Sequence, residues 1–305
     1  MATPLSRLSR YAKGYLTLGK NIGIKDQTLD LALIFSEERA NAAAVFTQNR
    51  FVGAPLIVSR QHIADGYAQA VGINSKNANV ATGQKGGEIA RESTRLVADE
   101  LGIDPQDVLP FSTGIIGRQL PIEKIRAGLR GIRGELKSEN IEQAAMAIMT
   151  TDTRPKYVAR EVGPAVINGI AKGAGMIEPD MATMLAFILT DARISSPLLQ
   201  EMLKRAVDKS FNRISIDTDT STSDAVVLMA NGLTGEVDLR RFEVALDEVC
   251  LYLAREIARD GEGATKVIEV TVTGAKDFGQ AKRVAKSVVN SPLVKTAVYG
   301  CDPNW

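Results

Sequence analysis

The sequence predicts a layered α/β (α+β) architecture, because short apolar runs typical of buried strands are interspersed with longer amphipathic segments along the whole chain. Hydrophobic residues make up 45% and charged residues 24% of the 305 positions, which are ordinary values for a globular protein. A chain of this length can bury a sizeable core in one large or two ordinary domains.

The first half of the chain supplies four predicted strands and three predicted helices. The strands are the apolar runs at 31–35, 43–46, 55–58 and 70–73. Helical spacing follows from Gly86 to Leu101, with Gly102 as a stop signal. Pro121 opens the second helix, and Ser138 is expected to cap the third.

The second half continues the same alternation. Pro197 marks the start of a helix, a long helix is expected from Asp238 to about Arg259, a strand at 267–272, and a further helix at 279–289. No linker composition separates domains. We nevertheless divide the chain into a main layered domain, 1–233, and the start of a second domain, 234–305.

Charge and cysteine content exclude several classes of protein. Thirty-seven basic and 36 acidic residues leave no electrostatic footprint for nucleic acid. No apolar run approaches the length of a membrane span, and two distant cysteines fit neither a disulfide scaffold nor a zinc site. A cytoplasmic location is expected, although the basic first 25 residues leave organelle targeting open.

The segment 172–185 holds the candidate nucleophile, Thr183, after a turn rich in glycine and proline. A hydroxyl needs a base beside it, and the chain has a single histidine, His62, to which we assign no role. A cut between Ala182 and Thr183 would free an α-amine with a pKa of about 7.7–8.0, which can act as that base. The alternative is a buried strand in which Thr183 is present only for its β-branch.

Carboxylates at alternate positions from Asp217 suggest a calcium-binding loop, but its sixth and twelfth positions, Thr222 and Leu228, do not fit one. We therefore predict no metal site.

The reading Lys-Gly-Ala-Gly-Met-Ile-Glu-Pro-Asp-Met-Ala-Thr-Met from Lys172 resembles the self-cleavage site of the ornithine acetyltransferase (glutamate N-acetyltransferase) family of arginine biosynthesis. The loop 74–79 also resembles the family, with Lys76 where glycine is usual. The resemblance runs from about Gly23 to Trp305, where it stops inside a motif. It therefore implies a chain that is truncated at its C-terminus and lacks the family's last substrate-binding residues.

The resemblance also implies the residue roles. Thr183 would be both the self-cleaving and the catalytic nucleophile. Thr113 and Gly114 would form the oxyanion hole. The substrate-binding residues would be Thr150, Thr151, Lys172, Thr183 and Glu262.

The implied reaction is a ping-pong acetyl transfer from N-acetylornithine to glutamate through acetyl-Thr183. It requires no cofactor, and acetyl-CoA is left open as a further acetyl donor. The implied assembly contains two α and two β chains (α2β2). Two alternatives remain: an autoproteolytic N-terminal-threonine aminopeptidase or amidase, and an inactive uncleaved fragment.

Overall fold

The computed structural model of the chain describes residues 10–177 and 184–303. Within these residues, eight strands share one sheet: β1 (Tyr15–Lys20), β2 (Leu31–Phe46), β3 (Tyr67–Asn74), β4 (Val108–Ser112), β5 (Lys156–Val162), β6 (Ala165–Lys172), β7 (Leu185–Ala192) and β8 (Ala225–Gly235). The α-helices of the described residues are α1 (Ala54–His62), α2 (Gly83–Leu101), α3 (Ile122–Leu129), α4 (Ile141–Ala147), α5 (Ser196–Lys209), α6 (Leu239–Arg259), α7 (Phe278–Val289) and α8 (Pro292–Gly300).

The strand order is β4-β3-β2-β8-β7-β6-β5, with β1 also paired to β2. The long strand β2 pairs with β1 and β3 along its first half and with β8 along its second, and its register with β3 shifts between Phe35 and Ala40. A bulge of this kind bends a strand and increases its twist. The single sheet therefore has two halves that are joined through β2.

The two halves face each other. The rings of Phe111 on β4 and Phe187 on β7 lie 5.2 Å apart, although four strand spacings separate these strands in the sheet, or about 19 Å on a flat sheet. An apolar core lies between the halves and also receives α4, which packs on β1, β2 and β6. The sheet thus closes into a two-layer sandwich.

Helices cover both outer faces of the sandwich. A core formed with α2 and α3 lies against β1–β4, and another formed with α5 and α6 lies against the half built from β5–β8. All side chains of β6 and β7 are buried, as expected for strands covered on both faces. The layered α/β class predicted from the sequence is confirmed.

Most predicted elements are present, and two predicted strands are wrong. The run 55–58 lies in α1, where Pro55 stands in the first turn and supplies a fixed φ suited to a helix start. The run 267–272 has no regular structure, since none of the described strands lies beside it to satisfy its backbone groups. The runs 31–35 and 43–46 belong to one strand, β2.

Ser138 lies in a short 3₁₀ turn that precedes α4, and its hydroxyl contacts Glu139 instead of capping the helix. Helix α6 packs against β5 and β6 and so contributes to the layered body. The division at residues 233 and 234 stays a prediction. Within the described part of the chain, we find no helix both long and apolar enough to cross a lipid bilayer.

Candidate active site

The candidate site lies where β4 and β6 end and β7 begins. Lys172, the last residue of β6, stands opposite Leu185 in the antiparallel pair with β7. Ala182 and Thr183, the predicted cleavage site, lie outside the described residues. Leu185 is two positions after Thr183 in the chain, so Lys172 is paired with the start of the strand that follows the predicted nucleophile in sequence.

Lys172 also joins the two halves of the sandwich. Its side chain is buried, and its Nζ donates to Thr113 Oγ1 at 3.3 Å, directly after β4. Burial lowers the pKa of Lys172, while Asp152 and Asp224 act in the opposite direction. Two predicted site residues 59 positions apart in sequence are therefore in contact.

The Thr113–Gly114 turn is fixed by the neighbouring loop 74–79. Thr113 N donates to Asn74 O at 3.0 Å, and Ile115 N donates to Lys76 O at 3.0 Å. Gly114 has φ 128°, and a Cβ placed there would lie 2.3 Å from the backbone carbon of Lys76. Only glycine fits this position, because an L side chain would be both strained and in collision.

Lys76 itself has φ 74°, in the left-handed region that favours glycine. A lysine at this position is therefore strained. Its ammonium lies 3.4 Å from the exposed carboxylate of Asp26, a contact of small energy in solvent.

Glu262 reaches the site from the turn after α6. Its N–H donates to Ala174 O at 2.8 Å, and its carboxylate lies against Gly175, where a Cβ would stand 2.5 Å from Oε1. Gly175 thus leaves room for this carboxylate beside the turn that leads toward Thr183. Glu262 is also among the charges that act on Lys172.

Thr150 and Thr151 follow α4, Thr150 half-buried and Thr151 exposed. Thr150 N donates to Asp152 Oδ2 at 3.0 Å, and Asp152 Oδ1 accepts from Gly173 N at 2.6 Å. Asp152 therefore connects the threonine pair to the residue that follows Lys172.

A buried charge cluster that the sequence did not reveal supports these contacts. Lys156 Nζ lies 2.7 Å from Asp152 Oδ1 and 2.6 Å from Asp260 Oδ2, and all three side chains are almost completely buried. Burial acts to raise the pKa of Asp152, but Lys172 and Lys156 bring that pKa below its ordinary value. The cluster joins the start of β5, the turn before it and the end of α6.

Two further residues of the site were missed. Lys25 Nζ donates to Met149 O at 2.7 Å, immediately before Thr150. Asp224 is buried directly before β8, and its Oδ1 accepts from Met184 N at 2.7 Å. Asp224 lies in the segment that begins at Asp217, and Asp260 directly precedes the Gly261-Glu262 turn. These positions were the available signals, but sequence alone does not show that a carboxylate is buried.

Taken together, the described residues place a lysine ammonium, a threonine hydroxyl, a glycine turn and a glutamate carboxylate around the turn that leads into β7. Such groups can hold a zwitterionic substrate and stabilise an oxyanion. Acyl transfer is a reaction for which groups of this kind are suited.

The comparisons with known proteins identify the family. The ArgJ family profile matches residues 17–305, and the chain belongs to that family. Arginine biosynthesis bifunctional protein ArgJ 2 of Nostoc sp. is 55% identical over 293 residues, which are 96% of this chain and 76% of the relative. Glutamate N-acetyltransferase Oat2 of Streptomyces clavuligerus is 52% identical over 294 residues, 96% of this chain and 75% of the relative.

Solved structures agree with this assignment. Ornithine acetyltransferase of Mycobacterium tuberculosis, solved in complex with ornithine, is 34% identical with a TM-score of 0.52 over 57% of this chain and 93% of that chain. A Burkholderia sp. β-aminopeptidase shares the fold, with a TM-score of 0.55 and 11% identity over 86% of this chain and 89% of that chain. The predicted family and enzyme class are confirmed, whereas the roles of individual residues stay predictions.

Proposed function

We propose that the chain cuts itself between Ala182 and Thr183 and then transfers an acetyl group from N-acetylornithine to glutamate through an ester on Thr183. The observation that carries the proposal is the contact between Lys172 Nζ and Thr113 Oγ1 at the strand ends beside β7. It brings a predicted substrate-binding cation and a predicted oxyanion donor together next to the strand that follows Thr183.

Maturation needs no group beyond the chain and water. The Thr183 hydroxyl attacks the carbonyl carbon of Ala182, and the peptide nitrogen of Thr183 leaves as an amine, so that an ester joins the two residues. Water then hydrolyses the ester. The products are a chain that ends at Ala182 and a chain that begins with Thr183, whose α-amine is now free to act as a base.

In acetyl transfer the α-amine accepts the Thr183 hydroxyl proton while the oxygen attacks the acetyl carbon of N-acetylornithine. The tetrahedral oxyanion is stabilised by the Thr113 hydroxyl and the Gly114 N–H, which need to lie about 2.7–3.1 Å from it. Collapse returns the proton to the departing ornithine amine. Glutamate then attacks the acetyl ester through the reverse sequence and leaves as N-acetylglutamate.

Substrate binding in this proposal uses a buried lysine and an exposed glutamate at the site. Lys172 pairs with the substrate's α-carboxylate as a point charge, and Glu262 binds an ammonium group. Thr150 and Thr151 supply further hydrogen bonds from the turn that Asp152 fixes. The same groups serve both half-reactions, so the proposal includes no cofactor, and acetyl-CoA is a donor to be tested.

Two features of the relatives support this proposal. One is named a glutamate N-acetyltransferase, and another was solved with ornithine. The structure solved with ornithine aligns with 57% of the 305 residues of this chain, and the aligned part is 93% of the solved chain. The solved chain is therefore about 190 residues long. A chain that ends after position 182 would have a similar length.

The mass of the purified protein tests maturation. From 32.8 kDa over 305 residues, a cut before Thr183 gives pieces of about 19–20 and 13 kDa, and Thr183→Ala stays intact. A single mass near 32.8 kDa for the wild-type chain would contradict the proposal and favour the inactive, uncleaved fragment.

The acceptor test separates transfer from hydrolysis. N-acetylornithine is incubated with the cut protein, with and without glutamate, and ornithine and N-acetylglutamate are measured. Glutamate-dependent release of ornithine with equal formation of N-acetylglutamate supports the transferase. Release to water alone would favour the aminopeptidase or amidase alternative, whose fold the Burkholderia enzyme shares.

The proposed assembly contains two copies of each piece. Native mass spectrometry of the cut protein should then give about 66 kDa, twice the chain mass. A native mass near 33 kDa would contradict this assembly without affecting the proposed reaction.

A further inference from the structure

An exposed carboxylate holds the turn that follows Lys172, and the reaction derived above gives it no role. Asp217 Oδ2 accepts from the N–H of Met176, and its Oδ1 accepts from Ile177 N at 2.7 Å. The same Oδ1 accepts from Asp219 N at 3.1 Å, which fixes the carboxylate within its own loop. Hydrogen bonds from backbone amides to a carboxylate are charge-assisted and stronger than those between neutral groups. Asp217 therefore holds two consecutive residues of this turn.

The backbone of the turn needs such support at Met176. Its φ is 58°, in the left-handed region that is unfavourable for a residue with a Cβ. The Met176 side chain is 41% exposed, so packing contributes little to holding it in place. The hydrogen bonds of the Asp217 carboxylate offset the cost of this conformation. The shape of the turn therefore depends on Asp217.

The residue before Asp217 connects the same turn to the one that carries Glu262. Ile216 N donates to Ile177 O at 2.6 Å, and the Ile216 side chain lies against Gly261, where a Cβ would stand 3.4 Å from its Cδ1. Glu262 N donates to Ala174 O at 2.8 Å. The turn after β6, the Ile216 segment and the turn after α6 therefore contact one another pairwise.

This arrangement leaves little freedom for the Glu262 carboxylate. A Cβ at Gly175 would lie 2.5 Å from Glu262 Oε1, so the carboxylate lies close against the backbone of the turn. From the other side, Lys295 Nζ on α8 donates to Ile216 O at 2.5 Å and holds the segment in place. A displacement of the turn would therefore displace the carboxylate.

We propose that Asp217 is a positioning residue for substrate binding: by holding Met176 and Ile177 it fixes the turn against which the Glu262 carboxylate lies. The inference rests on the proposed function, in which Glu262 binds an ammonium group of the substrate. In N-acetylornithine the α-amine is acetylated, so the group concerned is the δ-ammonium at the end of the side chain. Asp217 makes no contact with the substrate in this proposal and acts through Glu262.

The position of Glu262 matters because both carboxylates are exposed. Solvent and salt screen a direct attraction between Asp217 and the substrate ammonium. A charge-assisted hydrogen bond from the ammonium to Glu262 needs a distance of about 2.7–2.9 Å, and a carboxylate held in place loses less conformational freedom when the substrate binds. Asp217 thus contributes geometry, and its charge serves to hold the backbone amides.

The test is Asp217→Asn, which keeps an oxygen for Ile177 N–H but places an NH₂ group where the N–H of Met176 needs an acceptor. The matched control is Asp219→Asn, which removes an equal charge two positions away and keeps the backbone contact. Glu262→Ala is made alone and together with Asp217→Asn. Each variant is checked for the cut by mass and for folding by thermal unfolding. Then kcat and KM for N-acetylornithine are measured at saturating glutamate.

The expected result is a change in KM. Asp217→Asn should raise KM for N-acetylornithine about tenfold and leave kcat within about twofold, because it weakens binding of a group remote from the reacting carbonyl. Asp219→Asn should match the wild-type chain. In the Glu262→Ala background, Asp217→Asn should change KM by less than about twofold, since the carboxylate that it positions is then absent.

The outcomes separate this inference from its alternatives. The expected change in KM, lost in the Glu262→Ala background, would support it. An unchanged KM, or a lower kcat with unchanged KM, would overturn it. An equal rise in KM with and without the Glu262 carboxylate would overturn it too, because Asp217 would then not act through Glu262.

The state of the purified variant is equally informative. An Asp217→Asn chain that is unfolded, or folded and uncut, would overturn the inference, because the carboxylate would then serve the fold or the cut instead of the substrate. Failure of the proposed function is distinguishable from all of these results. It would show in the wild-type chain, as an absent cut or as no glutamate-dependent release of ornithine.

Discussion

At the residue scale, the shape of the oxyanion turn depends on one missing side chain. Gly114→Ala should lower the free energy of unfolding by about 3–4 kcal/mol, because a Cβ would add left-handed strain to a collision with the Lys76 backbone. It should also block the cut. Gly117→Ala is the matched control: φ there is 80°, nothing lies within 4 Å of its Cβ position, and a cost near 1 kcal/mol is expected. Denaturant unfolding and mass spectrometry measure both effects, and equal costs would refute this account.

Lys156 tests the buried charge cluster. Lys156→Met should lower the free energy of unfolding by about 3–5 kcal/mol, because Asp152 and Asp260 would be left buried without their shared cation. The control is Arg205→Met on an exposed ion pair with Glu243, where a much smaller loss is expected because solvent screens the pair. Denaturant unfolding at pH 7 compares the two. A cost below 1 kcal/mol for Lys156→Met would show that the cluster contributes little to stability.

The same cluster predicts a pH dependence. The pKa of Asp152 is lowered in the folded chain, so its stabilising contribution is complete above the unfolded value of about 3.9 and is lost as the pH falls through the folded value. The free energy of unfolding should therefore decrease below about pH 4. The decrease should be smaller in Lys156→Met, since part of the charge that lowers the pKa of Asp152 is then absent. Denaturation between pH 3 and 7 checks this, and parallel curves for the two proteins would contradict it.

At the element scale, a side-chain cap begins α6, the helix whose opposite end is followed by Asp260 and Glu262. The Asp238 carboxylate accepts from Arg240 N and Arg241 N, so Asp238→Ala should cost about 1 kcal/mol. Ser195, at the same position of α5, makes no side-chain cap bond, and Ser195→Ala should be nearly neutral. Chemical denaturation of both variants tests the comparison. An equal loss at the two caps would show that the hydrogen bonds of Asp238 do not stabilise α6.

Hydrophobic periodicity and helix start and stop residues located the elements whose sequence signals are local. Gly102 ends α2, Pro121 stands before α3, and Asp238 caps α6. The wrong predictions are at runs whose secondary structure depends on contacts with distant parts of the chain. The run 55–58 is equally apolar as a strand or a helix, and the alternating run 267–272 has no neighbouring strand among those described.

The candidate site shows the same division. Thr113, Gly114, Lys172 and Glu262 were found by motif resemblance, and the fold brings them together. Asp224 and Lys156 were missed, because their importance comes from burial and from partners that are distant in sequence. No local pattern encodes such contacts.

At the scale of the whole molecule, a cut before Thr183 would divide the sheet but should not separate the pieces. Strand β7 lies between β6 and β8, and β2 of the first piece pairs with β8 of the second. The cut protein should therefore migrate as one species in size-exclusion chromatography under native conditions and give two bands only after denaturation. Separation of the pieces in native buffer would contradict this topology.

The cut also changes how the neighbouring strands β6 and β7 can pair when the protein refolds. In the uncut chain β6 and β7 are neighbours along one polypeptide, so their pairing closes a short loop at small entropic cost. After the cut the same pairing becomes an encounter between two molecules. Recovery from heating should then depend on protein concentration for the cut enzyme and be independent of it for Thr183→Ala, so that maturation would convert a protein that refolds as a single chain into one that must reassemble.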